Sequence, residues 1–398
     1  MRKISVFIVL FCACTLSFAQ TTTLYTAETG HYRISSETSQ VEADEISRIL
    51  EACLAEYNKV FHFDLAKLPG KLTVKIFKDV DSFNAYLGTL VSETRDDFVF
   101  VAYSDPTRSE LLAFTQESDK LLPSLIHQGC IQFLKAFVSN PPVWLREGVA
   151  AYLEASVYDS KTATLVFKSN ILWLESLKAI LKAENSGQLI PFSDLLLLTR
   201  EAAEENLDVF YPEAWGLVSF LLGAEDKSVN RIFWDTLSVL SPSALLDENS
   251  QNVRTKAFAW VSDEEFSKSF SAFVQELKTS QELIKEGVDL YAAGDLDGSE
   301  KSFTASLSLE PDSYVACYYL GLIAYGRKDY TKADAYYLKA SELGASGALV
   351  DYALGVNAFA GGNFTDATKY LTKSKDAEPA AYAEKVNALL ARMDSTGK

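Results

Sequence analysis

The last third of the chain repeats itself every 34 residues, and this period limits the folds open to it more than any other feature of the sequence. Chains with a repeat of this length stack similar units, each burying its apolar side against the next. Three units are present, and five positions recur in register: Gly287, Gly321 and Gly355; Ser299, Ala333 and Ala367; Phe303, Tyr337 and Leu371; Ser306, Ala340 and Ser374; Pro311, Ala345 and Pro379.

The three units resemble the tetratricopeptide repeat. The matching stretches are "EGVDLYAAGDLDGSEKSF", "LGLIAYGRKDYTKADAYY" and "LGVNAFAGGNFTDATKYL". The resemblance implies three helix pairs over residues 280–313, 314–347 and 348–381, followed by a capping helix at "AAYAEKVNALLARM". Small residues at the recurring glycine and alanine positions let paired helices approach closely, and the bulky residue fills the seam between them. We therefore predict an all-α superhelix over residues 279–398.

The resemblance also implies a concave face that is lined by the first helix of each pair. Its nine positions are apolar or aromatic, which suits an apolar helix or an extended peptide as the partner. A second interpretation remains open, in which the same residues pack against the capping helix or the preceding domain. We call these residues the ladder: Ile284, Val288, Tyr291, Tyr318, Leu322, Tyr325, Tyr352, Val356 and Phe359.

The first residues have the pattern of a secretory signal peptide over residues 1–19. Arg2 and Lys3 precede an apolar run, and Ala19 ends a small-residue cleavage site. Export follows, to the periplasm or cell envelope or by secretion, with no transmembrane segment after cleavage. An alternative is a lipid anchor at Cys14.

The chain is acidic, with 54 Asp and Glu against 37 Lys and Arg, and signal cleavage removes two of the basic residues. A strongly negative field disfavours nucleic acid and anionic membrane surfaces as partners. The expected partner is therefore a protein or peptide. Cys53, Cys130 and Cys317 are too few and too widely spaced for a disulfide framework, and we predict buried free thiols.

The region before the repeats shows mixed patterns. In residues 20–118 the stretches "HYRIS", "KLTVKIF", "DDFVFVAYSD" and "SELLAFTQ" read as strands, and "QVEADEISRILEACLAEYNKVF" reads as a helix. Residues 119–278 are nearly all helical in pattern, and all five tryptophans fall between residues 144 and 260. The predicted fold class is α+β and mostly helical.

Two helical stretches, "LLPSLIHQGCIQFLKAFV" and "VWLREGVAAYLEASV", flank the breaker "NPP". Together they resemble the zinc peptidases of the H-E-x-x-H type, in the gluzincin branch, and the resemblance spans about residues 25–275. It implies a thermolysin-like α+β domain. His127 matches the first zinc ligand, and Glu147 in "WLREG" matches the third.

This sequence departs from the family pattern at the positions of the general base and the second zinc ligand. Gln128 stands where the general base belongs, and an amide accepts no proton near neutral pH. Ile131 stands where the second histidine belongs, and its side chain has no lone pair for a metal. The expectation is a degenerate site without catalytic residues, metal or other cofactor.

Other candidates were weighed beside this one. An altered zinc site of His127, Cys130 and Glu147 would make the chain a divergent zinc hydrolase. A thiol hydrolase using Cys130 and His127 is disfavoured, because Cys130 lies mid-helix in an acidic chain. His31 and His62 are expected to be structural histidines.

Three aromatic residues near the motif are expected to have structural roles. Trp144 and Trp215 are predicted core residues, and Tyr211 is predicted to lie in the core or at its rim. Taken together, the patterns predict an exported, non-catalytic interaction or scaffold protein. A further hypothesis is a cargo carrier whose cleft holds a peptide beside the strand "SELLAFTQ".

Overall fold

The computed structural model of the chain describes residues 23–182 and 189–396, so the predicted signal peptide lies outside these ranges. The described part is mostly helical, with a small sheet near its start and a long helical array at its end. This agrees with the predicted class. Within the same ranges, no helix combines the length and the apolar character needed to cross a membrane.

Five strands form one sheet in the order β1-β2-β3-β5-β4. The three inner strands run parallel to one another, and both edge strands are antiparallel to their neighbours. The four predicted strand stretches are β2 to β5, whereas β1 was not predicted. The bounds are β1 (Tyr25–Glu28), β2 (Tyr32–Ser36), β3 (Leu72–Phe77), β4 (Val99–Val101) and β5 (Glu110–Phe114).

The sheet order corrects one hypothesis. The stretch "SELLAFTQ" is β5, which is paired with β3 on one side and β4 on the other. A strand paired on both sides has no free edge to which a peptide can add. The cargo-carrier hypothesis is therefore wrong in its proposed site, and the strand at that edge of the sheet is β4.

Helices α1 (Gln40–Phe61), α2 (Val80–Leu87) and α3 (Ser118–Phe137) pack against this sheet. The Ser39 side chain caps α1 by accepting a hydrogen bond from the Glu42 N–H. The Tyr57 hydroxyl of α1 donates to the Ile126 carbonyl of α3 at 2.8 Å. This buried bond fixes α3, the helix with the peptidase-like motif, relative to α1.

The region after α3 is helical except for one hairpin that the sequence analysis missed. The predicted helix "VWLREGVAAYLEASV" ends at Leu153, and Val157 begins a strand instead. "FSDLLLLTREAAEE" is two short helices, because the Thr199 side chain starts a new one by accepting from the Ala202 N–H. The elements are α4 (Val143–Leu153), β6 (Val157–Asp159), β7 (Thr164–Val166), α5 (Ile171–Leu181), α6 (Phe192–Leu195), α7 (Arg200–Glu204), α8 (Leu207–Gly223), α9 (Lys227–Val239), α10 (Leu246–Asn252), a π-helical turn (Val253–Ala257) and α11 (Asp263–Glu276).

The array consists of six helices packed in consecutive pairs and a seventh that follows them. A Cβ atom built at Gly321 would lie 2.5 Å from the Tyr337 ring, so only glycine permits this approach. The equivalent glycines of the other two pairs face Phe303 and Leu371 in the same way. The helices are α12 (Ser280–Ala292), α13 (Leu296–Leu309), α14 (Tyr314–Gly326), α15 (Tyr330–Glu342), α16 (Gly347–Ala360), α17 (Phe364–Ala377) and α18 (Pro379–Thr396).

The array is joined to the preceding region through α11 and α12. Val274 of α11 is buried in a cluster with Leu177 of α5 and Trp215 of α8. The Lys178 ammonium of α5 pairs with Glu282 of α12 at 2.6 Å. Apolar packing therefore holds α11 against the motif-bearing region, and the ion pair links that region to the first helix of the array.

Candidate functional site

The side chain of His127 lies between two carboxylates. Its Nδ1 atom is 2.6 Å from Glu154 Oε2, and its Nε2 atom is 3.2 Å from Glu147 Oε2. His127 comes from α3, Glu147 from α4 and Glu154 from the residue that ends α4. We refer to His127, Glu147 and Glu154 as the histidine–carboxylate cluster.

Every oxygen of the two carboxylates has a donor. Arg146 Nε donates to Glu147 Oε1 at 2.6 Å, and the Tyr211 hydroxyl contacts Glu147 Oε2 at 3.4 Å. The remaining oxygen of Glu154 accepts bonds from Asn170 Nδ2 at 2.6 Å and Trp173 Nε1 at 2.8 Å. The cluster is a saturated polar network inside an apolar region, which is the condition for such a network to be stable.

A close helix contact positions Glu147. A Cβ atom at Gly148 would lie 2.4 Å from the Ala214 carbonyl oxygen, so α4 and α8 meet backbone to backbone at this point. Tyr211 lies on the same helix as Ala214, and the contact brings its hydroxyl to Glu147. The glycine of "WLREG" is therefore required for the packing that places the glutamate beside it.

The cluster is charged at neutral pH. Burial acts to lower the pKa of His127, but the hydrogen bonds and charges of Glu147 and Glu154 outweigh it and raise that pKa to about 9. Burial likewise acts to raise the pKa of Glu147, and His127 and Arg146 lower it to about 2. A protonated imidazole donates a hydrogen bond from each nitrogen, here to Glu154 and to Glu147.

The cluster borders a cleft with a volume of about 560 Å³, which Glu147 and Tyr211 line. Gln128 and Ile131 line the same cleft, at the positions where the family pattern has its base and second ligand. The Gln128 Oε1 atom accepts a hydrogen bond from the Phe100 N–H of β4 at 3.2 Å. Gln128 therefore has a structural contact, and its amide supplies no proton acceptor to the cleft.

Cys130 does not join His127 and Glu147. Its side chain is fully buried in the main core, and burial raises the pKa of its thiol well above the ordinary range. Among residues 23–182 and 189–396, no group of three or more His, Cys, Asp or Glu side chains is arranged to hold a metal ion. The prediction of three buried free thiols is confirmed for Cys53, Cys130 and Cys317.

The other histidines have separate partners. His31 Nδ1 pairs with Glu51 at 2.9 Å, and the His62 ring lies 4.9 Å from the Trp234 ring. Trp144 and Trp215 are buried, as predicted for core residues. Tyr211 stacks on Trp173 with ring centroids 5.6 Å apart, at the rim of the cluster.

The sequence analysis missed Glu154, which contacts His127 more closely than Glu147 does. A signal was present, because Glu154 follows Glu147 by seven residues, or two helical turns on the same face. Lys135 was missed as well. It follows Ile131 by one turn of α3 and lines the cleft.

The ladder is neither fully open nor fully closed, because all nine side chains are half-buried. Its third rung, Tyr352, Val356 and Phe359, packs against the apolar cluster that includes Val386 and Met393 of α18. Tyr352 and Tyr382 of α18 lie with ring centroids 5.1 Å apart. The predicted capping helix therefore packs against this rung, and binding of a partner by the ladder stays a prediction.

No family model matches this sequence, and no curated protein matches it. The cluster, the cleft and the ladder are therefore the features from which a function can be inferred. Chemically, the cluster combines a cation with two anions that are already hydrogen-bonded. Both ring nitrogens of His127 are engaged by these carboxylates.

Proposed function

We propose that this chain is a non-catalytic, exported interaction protein, in which a gluzincin-like domain without its chemistry is joined to three peptide-binding tetratricopeptide repeats. One observation supports the proposal that the chain is non-catalytic. His127 is held between Glu147 and Glu154, with both ring nitrogens in hydrogen bonds. The residues that would bind and activate a water are thereby bound to one another.

The family assignments rest on position as well as on sequence pattern. His127 and Glu147 come from consecutive helices and face each other, as the first and third ligands of a gluzincin would. For the array, the support is the pairing of helices at the 34-residue period, with a glycine against a bulky residue in each pair. The proposal of export rests on the pattern of residues 1–19 alone. That pattern supports a periplasmic or envelope location.

The interaction role rests on the ladder. Its first two rungs present half-buried tyrosines, including Tyr318 and Tyr325, on the first helix of successive pairs. Burial raises the pKa of Tyr318 to about 12, so its hydroxyl remains a neutral donor at any physiological pH. Neutral aromatic side chains with a hydroxyl suit a partner that buries apolar groups and keeps some hydrogen bonds.

The first test restores the two residues that the H-E-x-x-H pattern requires and this chain lacks. Purified mature chain is expected to hold no stoichiometric zinc and to leave casein uncut. The double variant Gln128→Glu, Ile131→His adds a base and a second histidine four residues after the first, on the same helix face. It is expected to bind about one zinc ion per chain, measured by elemental analysis after dialysis.

The matched control for this test is the single variant Gln128→Glu, which adds the base without the second histidine and is expected to hold no zinc. Tightly bound zinc in the wild-type chain that is lost in Cys130→Ala would instead establish the alternative, a divergent hydrolase using His127, Cys130 and Glu147. A restored variant that folds normally and binds no zinc would count against the gluzincin-like assignment.

The second test addresses the ladder. Peptides selected against the wild-type chain from a random display library are expected to be rich in apolar residues. Their affinity is expected to fall by about tenfold or more in the double variant Tyr318→Ala, Tyr325→Ala, because central tyrosines commonly dominate such interfaces. The measurement is fluorescence anisotropy with a labelled selected peptide.

The control variant is Tyr314→Ala, which removes an exposed tyrosine from the first turn of the same helix. Thermal unfolding of each variant shows whether the array remains folded. Equal affinity in wild type and the folded double variant would show that the ladder is not the binding surface.

A further inference from the structure

The cleft beside the cluster is lined by both basic and acidic side chains. The basic ones are four: Arg95 from the segment before β4, Lys135 from α3, Arg146 from α4 and Arg200 from α7. Arg146 pairs with Glu147 at 2.6 Å, and Arg200 pairs with Glu204 at 2.8 Å. Both of these cations are therefore matched by carboxylates of the chain itself.

Lys135 differs from Arg146 and Arg200. None of the carboxylates in residues 23–182 and 189–396 forms an ion pair or hydrogen bond with its ammonium group, which is half-buried in the cleft wall. Burial and the charges of Arg146 and Arg200 lower the pKa of Lys135 to about 8, with Glu147 acting in the opposite direction. A cation in this setting is stabilised when an anion binds beside it.

The remaining cations and anions of the cleft do not supply that partner. Arg95 pairs with Glu93 at 3.2 Å and with Asp97 at 3.7 Å. These two carboxylates thus share one guanidinium within their own segment. The position next to Lys135 is open to an anion from outside the chain.

Apolar side chains also line the cleft. Val91 and Leu207 line it with 38 % and 45 % of their surface exposed, which is unusual for side chains of this size. Ala203 adds to the same wall. With a volume of about 560 Å³, the cleft falls within the range typical of small-molecule sites.

We propose that the cleft binds a small organic carboxylate, with its anionic group beside Lys135 and its apolar body against Val91 and Leu207. Arg146 and Arg200 flank the anion and add to the local positive potential. The carboxylate can come from a free acyl compound or from the C-terminus of a peptide, since both present the same group. This site is separate from the ladder and does not depend on the proposed function.

The experiment is calorimetric titration of the mature chain with three probes: N-acetyl-leucine, its C-terminal amide and an acetylated tripeptide that ends in leucine with a free carboxylate. N-acetyl-leucine is expected to bind at least tenfold more tightly than its amide. Tighter binding of the tripeptide than of N-acetyl-leucine would identify a peptide terminus as the source of the carboxylate. Equal affinity for the tripeptide and N-acetyl-leucine would identify a free acyl compound as the source. Equal affinity for the acid and the amide, or no binding of either acid, overturns the proposal.

The variant Lys135→Gln is expected to lose at least tenfold in affinity for the acid. Its matched control is Lys301→Gln, which removes an exposed lysine of α13 far along the chain and is expected to change nothing. Unchanged affinity in a folded Lys135→Gln variant overturns the role of Lys135. Should that variant fail to fold, the comparison of acid with amide in the wild-type chain decides the proposal.

Discussion

Replacement of His127 by alanine is expected to lower the free energy of unfolding by about 3–5 kcal/mol at pH 6, the usual cost of removing one partner from a buried ion pair. The change leaves Glu147 and Glu154 facing each other without the cation between them. Glu147 is 8 % exposed, so water can replace the lost charge only in part. Urea unfolding of wild type and variant measures the difference.

The pH dependence of this difference follows from two pKa values. His127 has a pKa of about 9 in the fold against 6.5 ordinarily, so its contribution is complete below pH 6.5 and is lost as the pH rises through 9. Glu147 has a pKa of about 2 against 4.5, so its contribution is complete above pH 4.5 and is lost as the pH falls through 2. The stability difference between wild type and variant is expected to be largest from pH 4.5 to 6.5.

The chain contains a matched control in His31, which also pairs with a glutamate through Nδ1. That pair is about one third exposed, and exposed ion pairs contribute roughly 0–1 kcal/mol. His31→Ala is therefore expected to cost less than about 1 kcal/mol. Similar losses in the two variants would contradict the assignment of a buried, charge-balanced cluster to His127.

The variant Glu213→Gln is expected to stabilise the chain at pH 8 and to have little effect at pH 5. Glu213, on α8, is 3 % exposed and faces a cavity of about 130 Å³ whose walls are mostly apolar. Its carboxyl accepts one hydrogen bond, from the Ile190 N–H at 2.8 Å. Burial raises its pKa to about 8, and that one hydrogen bond only partly opposes the effect.

The direction of this pH effect on stability follows from proton binding by Glu213 in the folded and unfolded chain. The folded chain holds the Glu213 proton up to about pH 8, whereas the unfolded chain releases it near pH 4.5. Wild-type stability is therefore expected to fall between pH 4.5 and 8, by up to about 4 kcal/mol from this group. Glutamine is neutral at every pH and keeps an oxygen for the Ile190 N–H, so the variant lacks this loss.

Urea unfolding of wild type and variant at pH 5 and pH 8 tests this expectation, with Glu201→Gln as the control. Glu201 is an exposed acid in the first turn of α7, and its replacement is expected to leave the pH dependence unchanged. A Glu213→Gln variant as sensitive to pH as the wild type would show that Glu213 is ionised in the fold.

The sequence predicted best what depends on neighbours along the chain. The 34-residue period located the helix pairs, because glycine and its bulky partner are brought together by a short turn within each pair. His127 and Glu147 were singled out because the resemblance to the H-E-x-x-H peptidases implies a ligand position for each, and they lie on two consecutive helices. Neither prediction required knowledge of distant segments.

The missed features depend on such segments. Glu154 gains its role from Asn170 and Trp173, which reach it only after the β6–β7 hairpin has reversed the chain. Lys135 lacks an ion-pair partner because no carboxylate in the described part of the chain reaches ion-pair distance of its ammonium group, and a missing contact leaves no local pattern. The ladder was left undecided for the same reason, since its exposure depends on where α18 packs.

The hydrogen bond from the Phe100 N–H to Gln128 also bears on how the folded chain behaves in concentrated solution. β4 is an edge strand in the stretch "FVFVA", a short apolar run of the kind that joins the sheet edge of another molecule and begins aggregation. The amide of Gln128 occupies a backbone donor that such pairing would use. This hydrogen bond therefore leaves one backbone donor fewer on the edge of the sheet for pairing with another molecule.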